Sequence, residues 1–115
     1  MNVAAILFGI AALGGIIMAM IRLSGRDYPP AFLAVVHGLF AAAGLVALLM
    51  AVFAPGVAAS FKIALVLFVV AALGGFWLVS YHLKRQALPI GLMVIHALVA
   101  VVAFVILLVG IMSHA

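Results

Sequence analysis

Two histidines are the residues of this chain whose type and surroundings point to chemistry. His37 and His96 lie inside long apolar stretches, whereas the other polar side chains lie at or near the ends of such stretches. An ionisable side chain in an apolar layer is costly to bury and is by default a candidate functional group. No carboxylate, amide or hydroxyl side chain accompanies either histidine in its stretch. The available partners are therefore a backbone carbonyl, water, the other imidazole, or a ligand that the chain does not encode.

Two neutral imidazoles from different helices can occupy both axial positions of a haem iron if they lie at one depth and face one space. We therefore predict that His37 and His96 are the axial metal ligands of one b-type haem. Small residues at +4 and +7 from each histidine would leave room for a flat macrocycle on the same helix face. They are Ala41, Gly44, Ala100 and Ala103. Arg22 and Arg85 lie towards the side to which the histidines are displaced, where they would pair with the haem propionates.

Three other interpretations of the histidines stay open at this point. The two imidazoles could hydrogen-bond to each other without a cofactor. They could bind bare copper or zinc, but two nitrogens leave the coordination sphere short, and Met93 is the only soft donor near His96. They could also fail to meet. The internal methionines, which are Met18, Met20, Met50, Met93 and Met112, are expected to be packing residues rather than ligands.

The composition excludes a water-soluble fold and most catalytic classes. Of the 115 residues, 73% are hydrophobic, and the mean hydropathy is +1.68. Soluble domains are about half apolar and about a quarter charged. The chain has one acidic residue, which excludes catalysis by paired carboxylates, and no cysteine, which excludes disulfides, thiolate metal sites and covalently attached haem. The sequence therefore predicts an integral membrane protein.

Four apolar stretches are long enough to cross a hydrocarbon core of about 30 Å. They run from about Val3 to Ile21, Ala31 to Phe53, Val57 to Tyr81 and Leu88 to Met112. The breaks between them are short and contain proline or glycine. We predict an all-α fold with a single membrane domain over residues 1–115, in which two antiparallel hairpins form a four-helix bundle. Pro29 or Pro30, and Pro89, suit helix starts, and Ser60 would cap the third helix if that helix began late.

An internal repeat relates the two hairpins, about residues 3–53 and 57–112. The segment Ala-Ala-Leu-Gly-Gly begins at Ala11 and again at Ala71, and a proline seven residues before a histidine occurs at His37 and again at His96. Each unit crosses the membrane twice, so both units enter from the same side and a pseudo-twofold axis runs along the membrane normal. Equivalent residues then lie at equal depth. The repeat therefore predicts that the two histidines form a pair across the bundle axis.

The basic residues predict an orientation. The first and third loops hold Arg22, Arg26, Lys84 and Arg85, whereas the opposite side holds only Lys62. The positive-inside rule places the first and third loops in the cytoplasm and both termini outside. The Ala, Val, Gly and Leu bias favours a bacterial inner membrane. No solvated basic domain is present, so a nucleic-acid partner is not expected.

The function predicted from these features is that of a small membrane cytochrome b, which holds one haem and passes electrons to a partner or quinone. Its plan resembles that of four-helix membrane cytochromes b, although no motif assigns a family. His82 and His114 lie at opposite ends and cannot hold a second haem.

The alternative function is that of a cofactor-free accessory subunit of a larger membrane complex. In both hypotheses the chain is an electron-transfer or accessory protein rather than a stand-alone enzyme. Its expected partners are other membrane subunits or a second copy of itself. A proton-coupled exporter would need an intramembrane carboxylate, which the chain lacks.

Overall fold

The computed structural model describes residues 1–114, and this part of the chain contains four helices and no strand. The helices are α1 (Asn2–Leu23), α2 (Ala31–Val52), α3 (Ala59–Leu83) and α4 (Ile90–Ser113). Each is long and apolar enough to cross a membrane. The all-α prediction is confirmed, and the chain is a multi-pass membrane protein whose apolar helix surfaces suit contact with lipid.

Prolines precede two of the helices. Pro30 is the N-cap of α2 and Pro89 is the N-cap of α4, so each ring stands immediately before the first helical residue. Their fixed φ of −55° and −61° suits a helix start, and the missing N–H is one that has no partner there. Ser60 does not cap α3. The N-cap is Ala58, and Ser60 lies within the first turn, because the chain is already helical from Ala59.

The four helices form an elongated bundle with dimensions of 46 × 19 × 18 Å. Each hairpin packs its own two helices most extensively, α1 against α2 and α3 against α4. The hairpins meet through smaller contacts between α2 and α3 and between α1 and α4. Consequently α1 lies diagonally opposite α3, and α2 lies diagonally opposite α4. This is the arrangement that a pseudo-twofold axis along the bundle produces.

The buried core obeys the same symmetry. Residues of α1 recur as buried residues of α3 sixty positions later, and residues of α2 recur in α4 fifty-nine positions later. The pairs are Ala4 with Ala64, Phe8 with Phe68, Ala11 with Ala71, Gly44 with Ala103, and Leu48 with Leu107. The Phe8 and Phe68 rings stack face to face across the diagonal, with centroids 3.7 Å apart and planes 1° apart. Phe8 and its repeat equivalent Phe68 thus meet at the centre of the bundle, as a pseudo-twofold arrangement of two similar hairpins would place them.

One end of the bundle carries the first and third loops, and these two loops are tied together. The Leu88 N–H donates to the Asp27 carbonyl at 2.9 Å. The Arg22 Nε–H donates to the Leu88 carbonyl at 2.9 Å, and the Tyr28 ring packs on His82 with centroids 5.1 Å apart. We call this end the loop end and the opposite one the terminal end. The loop end is therefore held closed by contacts between the two hairpins.

Candidate functional site

The two intramembrane histidines bind the backbone of the other helix in their own hairpin. His37 on α2 donates from Nδ1 to the Ala11 carbonyl of α1 at 2.7 Å. His96 on α4 donates from Nδ1 to the Ala71 carbonyl of α3, also at 2.7 Å. Since a carbonyl oxygen can only accept, each Nδ1 carries a hydrogen. The unprotonated nitrogen of each neutral imidazole is therefore Nε2.

The two imidazoles also lie next to each other. Their ring centroids are 6.2 Å apart and their planes are 77° apart. Both side chains are half-buried, and across residues 1–114 neither Nε2 has a hydrogen-bond partner from the protein. The rings do not hydrogen-bond to each other, because each Nδ1–H is directed at a carbonyl. The prediction that the histidines meet across the axis therefore agrees with the geometry, whereas the predicted alternative of a direct bond between them does not.

This spacing suits a shared metal. Each ring nitrogen lies about 1.1 Å from the centre of its ring, and an imidazole binds a metal at about 2.0 Å, so two imidazoles on opposite sides of one metal have centroids about 6 Å apart. The observed centroid distance of 6.2 Å is close to that value, and it also lies in the range of an ordinary edge-to-face contact between two rings. Within the described part of the chain, no group of three or more His, Cys, Asp or Glu side chains comes together. Among His, Cys, Asp and Glu side chains in residues 1–114, a metal here would therefore have only His37 and His96 as ligands.

The small residues that follow the histidines fall at two levels. Ala41 and Ala100, one turn beyond, are half-buried. Gly44 lies about 10 Å beyond His37 along α2 and faces the Phe8 ring, so that a Cβ on Gly44 would stand 3.0 Å from two ring carbons. Ala103 is completely buried in the same cluster as Phe8 and Phe68. The space beside Gly44 is thus taken by an aromatic ring, and room for a macrocycle would have to lie nearer to the histidines.

The two arginines predicted to bind propionates lie at the loop end, but they differ in their surroundings. Arg22 is half-buried and donates to the Leu88 carbonyl and, at 3.4 Å, to the Arg26 carbonyl. Arg85 is exposed and has a φ of 52°, an unusual backbone conformation for a residue with a side chain. Arg22 therefore has a structural role in the inter-loop contact, whereas nothing in residues 1–114 holds the Arg85 guanidinium.

The sequence predicts a backbone carbonyl as one potential partner of each histidine but does not indicate which one. The signal that identifies Ala11 and Ala71 is the repeated Ala-Ala-Leu-Gly-Gly segment, because its first residue supplies the carbonyl in both hairpins. The two glycines that end this segment lie against the imidazole in each hairpin. Comparison with protein-family models, curated proteins and solved structures found no match to this chain.

Proposed function

We propose that this protein is a small membrane cytochrome b in which His37 and His96 hold one haem by axial ligation. The proposal depends on one observation: two imidazoles from diagonal helices have centroids 6.2 Å apart, and each uses Nδ1 for a backbone hydrogen bond. Metal-binding histidines commonly donate their other ring N–H to a carbonyl or carboxylate, which holds the ring in place and makes it a stronger donor.

The donor set favours haem over a bare ion. Copper or zinc bound by His37 and His96 would have no third His, Cys, Asp or Glu ligand, since no cluster of three such side chains occurs in residues 1–114. A haem supplies four nitrogens of its own and needs only two from the protein. Two neutral imidazoles also add no charge to the interior of the bundle. Two imidazole donors are therefore the number that a haem requires from the protein, whereas a bare ion would require more.

The interior is asymmetric along the bundle axis, and this asymmetry orients the proposed site. The Phe8–Phe68 stack fills the core towards the terminal end. The loop end instead carries most of the basic side chains, which are Arg22, Arg26, Lys84 and Arg85. Propionates directed to the loop end would meet positive charge there, and the exposed Arg85 guanidinium makes no hydrogen bond or ion pair within residues 1–114.

The same charges orient the protein in a bacterial inner membrane. With the loop end in the cytoplasm and both termini outside, the basic residues follow the positive-inside rule. The histidines lie about 10 Å from the starts of α2 and α4, nearer to the cytoplasmic face. One centre close to one face does not carry electrons across the bilayer alone. The electron donor or acceptor is therefore a quinone or a membrane partner protein on that side.

The bound group would supply one-electron redox chemistry, and the chain would supply three further properties. His37 and His96 would hold the group through their Nε2 atoms. The apolar helices keep water and other ligands from the centre. The contacts between the hairpins, which include the Phe8–Phe68 stack and the Arg22–Leu88 hydrogen bond, would maintain the distance between the histidines.

Absorption spectroscopy of the purified protein tests the proposal. After expression with ample haem, the protein in lipid nanodiscs should show a Soret band and, on dithionite reduction, a sharp α-band. His37→Ala and His96→Ala should each abolish these bands, while His114→Ala, at the terminal end, should leave them unchanged. Because the imidazole planes are nearly perpendicular, the oxidised protein should give a strongly anisotropic low-spin electron paramagnetic resonance signal.

One spectroscopic result would contradict the cytochrome proposal. A folded, colourless protein that takes up no haem on titration would overturn the proposal. The histidines would then be packing residues satisfied by the Ala11 and Ala71 carbonyls, and the accessory-subunit alternative would be the better description.

A further inference from the structure

The glycine pairs Gly14-Gly15 and Gly74-Gly75 lie directly against the two imidazoles. A Cβ on Gly15 would stand 3.1 Å from His37 Cε1 and 3.4 Å from Nδ1. A Cβ on Gly75 would stand 3.2 Å from His96 Cε1. The preceding glycines are less critical, since a Cβ on Gly14 or Gly74 would come no closer than 3.6 Å to the histidine. In each hairpin, therefore, the second glycine is the one that the imidazole requires.

Helix geometry explains why this position matters. The carbonyl of residue i in an α-helix points towards residue i+4, whose N–H it binds. The side chain of residue i+4 therefore stands beside that carbonyl. Gly15 is residue i+4 to Ala11, and Gly75 is residue i+4 to Ala71. Without a Cβ at these positions, a side chain from the neighbouring helix can reach a carbonyl that is already in the helical ladder.

We infer that Gly15 and Gly75 are positioning residues that hold His37 and His96 as Nδ1–H tautomers, with Nε2 left free to bind a metal. The repeated Ala-Ala-Leu-Gly-Gly segment and the repeated histidine thus act as one two-part unit: one part exposes a carbonyl and the other binds it. The tautomer is a property of the protein alone. Its consequence for metal binding rests on the proposed function.

The hydrogen bond at Nδ1 affects metal affinity and reduction potential in a defined direction. A carbonyl that accepts from Nδ1–H makes the imidazole a better electron donor through Nε2, which stabilises the oxidised metal. An alanine at position 15 or 75 would push the ring away by a few tenths of an ångström and weaken this hydrogen bond. Loss of such a supporting partner lowers metal affinity by about 10- to 100-fold. If a tenfold loss falls on the oxidised state alone, the reduction potential rises by about 59 mV.

The experiment has one readout without haem and one with it. In haem-free protein labelled with ¹⁵N-histidine, at a pH where imidazole is neutral, the wild-type His37 and His96 should show protonated Nδ1 and unprotonated Nε2. Gly15→Ala should produce a mixture of tautomers at His37 only, and Gly75→Ala should do so at His96 only. In haem-loaded protein, each variant should bind haem about tenfold more weakly and have a raised reduction potential.

Gly14→Ala and Gly38→Ala are the matched controls. Gly14 is adjacent to Gly15 on α1 with ordinary contact distances, and Gly38 is adjacent to His37 with nothing within 4 Å of its Cβ position. Both should leave the tautomer and the potential unchanged, which separates the effect from the general stiffening of a helix by alanine.

The results distinguish the two proposals. A wild-type protein with protonated Nε2, or Gly15→Ala with the tautomer and potential of Gly14→Ala, would overturn the positioning role even if the protein binds haem. A colourless wild type with the expected tautomers would overturn the cytochrome proposal and support the positioning role.

Discussion

Gly44→Ala tests the packing at the centre of the bundle. The Cβ of the new alanine would stand 3.0 Å from two carbons of the Phe8 ring and 3.1 Å from a third. Phe8 has little room to yield, since it is only 5% exposed and its other face stacks on Phe68 at 3.7 Å. The added methyl group must therefore displace α2 or separate the stacked rings.

Two opposing effects set the magnitude. Overpacking a tight core by one methyl group destabilises a protein by about 1–3 kcal/mol. Alanine favours a helix over glycine by about 1 kcal/mol. Gly38→Ala, on the same helix but with nothing within 4 Å, has only the second effect. We therefore expect Gly44→Ala to be about 2 kcal/mol less stable than Gly38→Ala, because the helix-propensity gain is common to both.

The assay is reversible unfolding in mixed detergent micelles with increasing dodecyl sulfate, followed by far-ultraviolet circular dichroism. Both variants are compared with the wild type for the free energy of unfolding. The repeat offers a further check, since the equivalent of Gly44 in the second hairpin is Ala103. The double variant Gly44→Ala/Ala103→Gly moves one methyl group across the stack and should recover part of the loss. The packing argument is refuted if Gly44→Ala is as stable as Gly38→Ala.

Three further predictions concern the ends of the bundle. Arg85 follows α3 in a positive-φ conformation, and the equivalent position after α1 is Gly25 with φ 112°. Arg85→Gly should therefore raise the free energy of unfolding by about 1 kcal/mol in the same assay. An unchanged value would contradict backbone strain at Arg85. Arg22→Ala removes the hydrogen bond to the Leu88 carbonyl and should lower the free energy of unfolding by about 1–2 kcal/mol. An unchanged free energy of unfolding would show that this contact does not hold the two loops together. A phosphatase reporter fused after His114 should be active outside the cytoplasm, and activity of a cytoplasmic reporter at that site would reverse the proposed orientation.

The helices and their pairing were accessible from the chain alone for two reasons. Apolar stretches of about 20 residues have few alternatives to a membrane-spanning helix, because every backbone polar group must be satisfied within the segment. The repeat then placed His37 and His96 at equal depth without any knowledge of packing. The same repeat predicted the symmetry of the core, although it did not indicate that Phe8 and Phe68 would be the pair that meets on the axis.

The site itself was only partly predictable. The sequence shows that Gly44 and the two Gly-Gly pairs are small, but a small residue indicates only that something approaches closely. In the structure the approaching groups are the Phe8 ring and the two imidazoles. Arg22 was recognised as a basic residue near the site, but its bond to the Leu88 carbonyl joins residues 66 positions apart, a relation that local sequence does not encode.

The amino-acid sequence thus determined how many helices there are, where they turn, and that two histidines share one depth, because hydropathy and repetition act along the chain. The tertiary structure decided which atoms those histidines bind and how far apart their rings stand. The physical reason is that these helices are apolar on all sides, so the pattern contains little information about which face turns inward. That choice depends on packing, and here on where the absence of a Cβ at Gly15 and Gly75 exposes a backbone carbonyl.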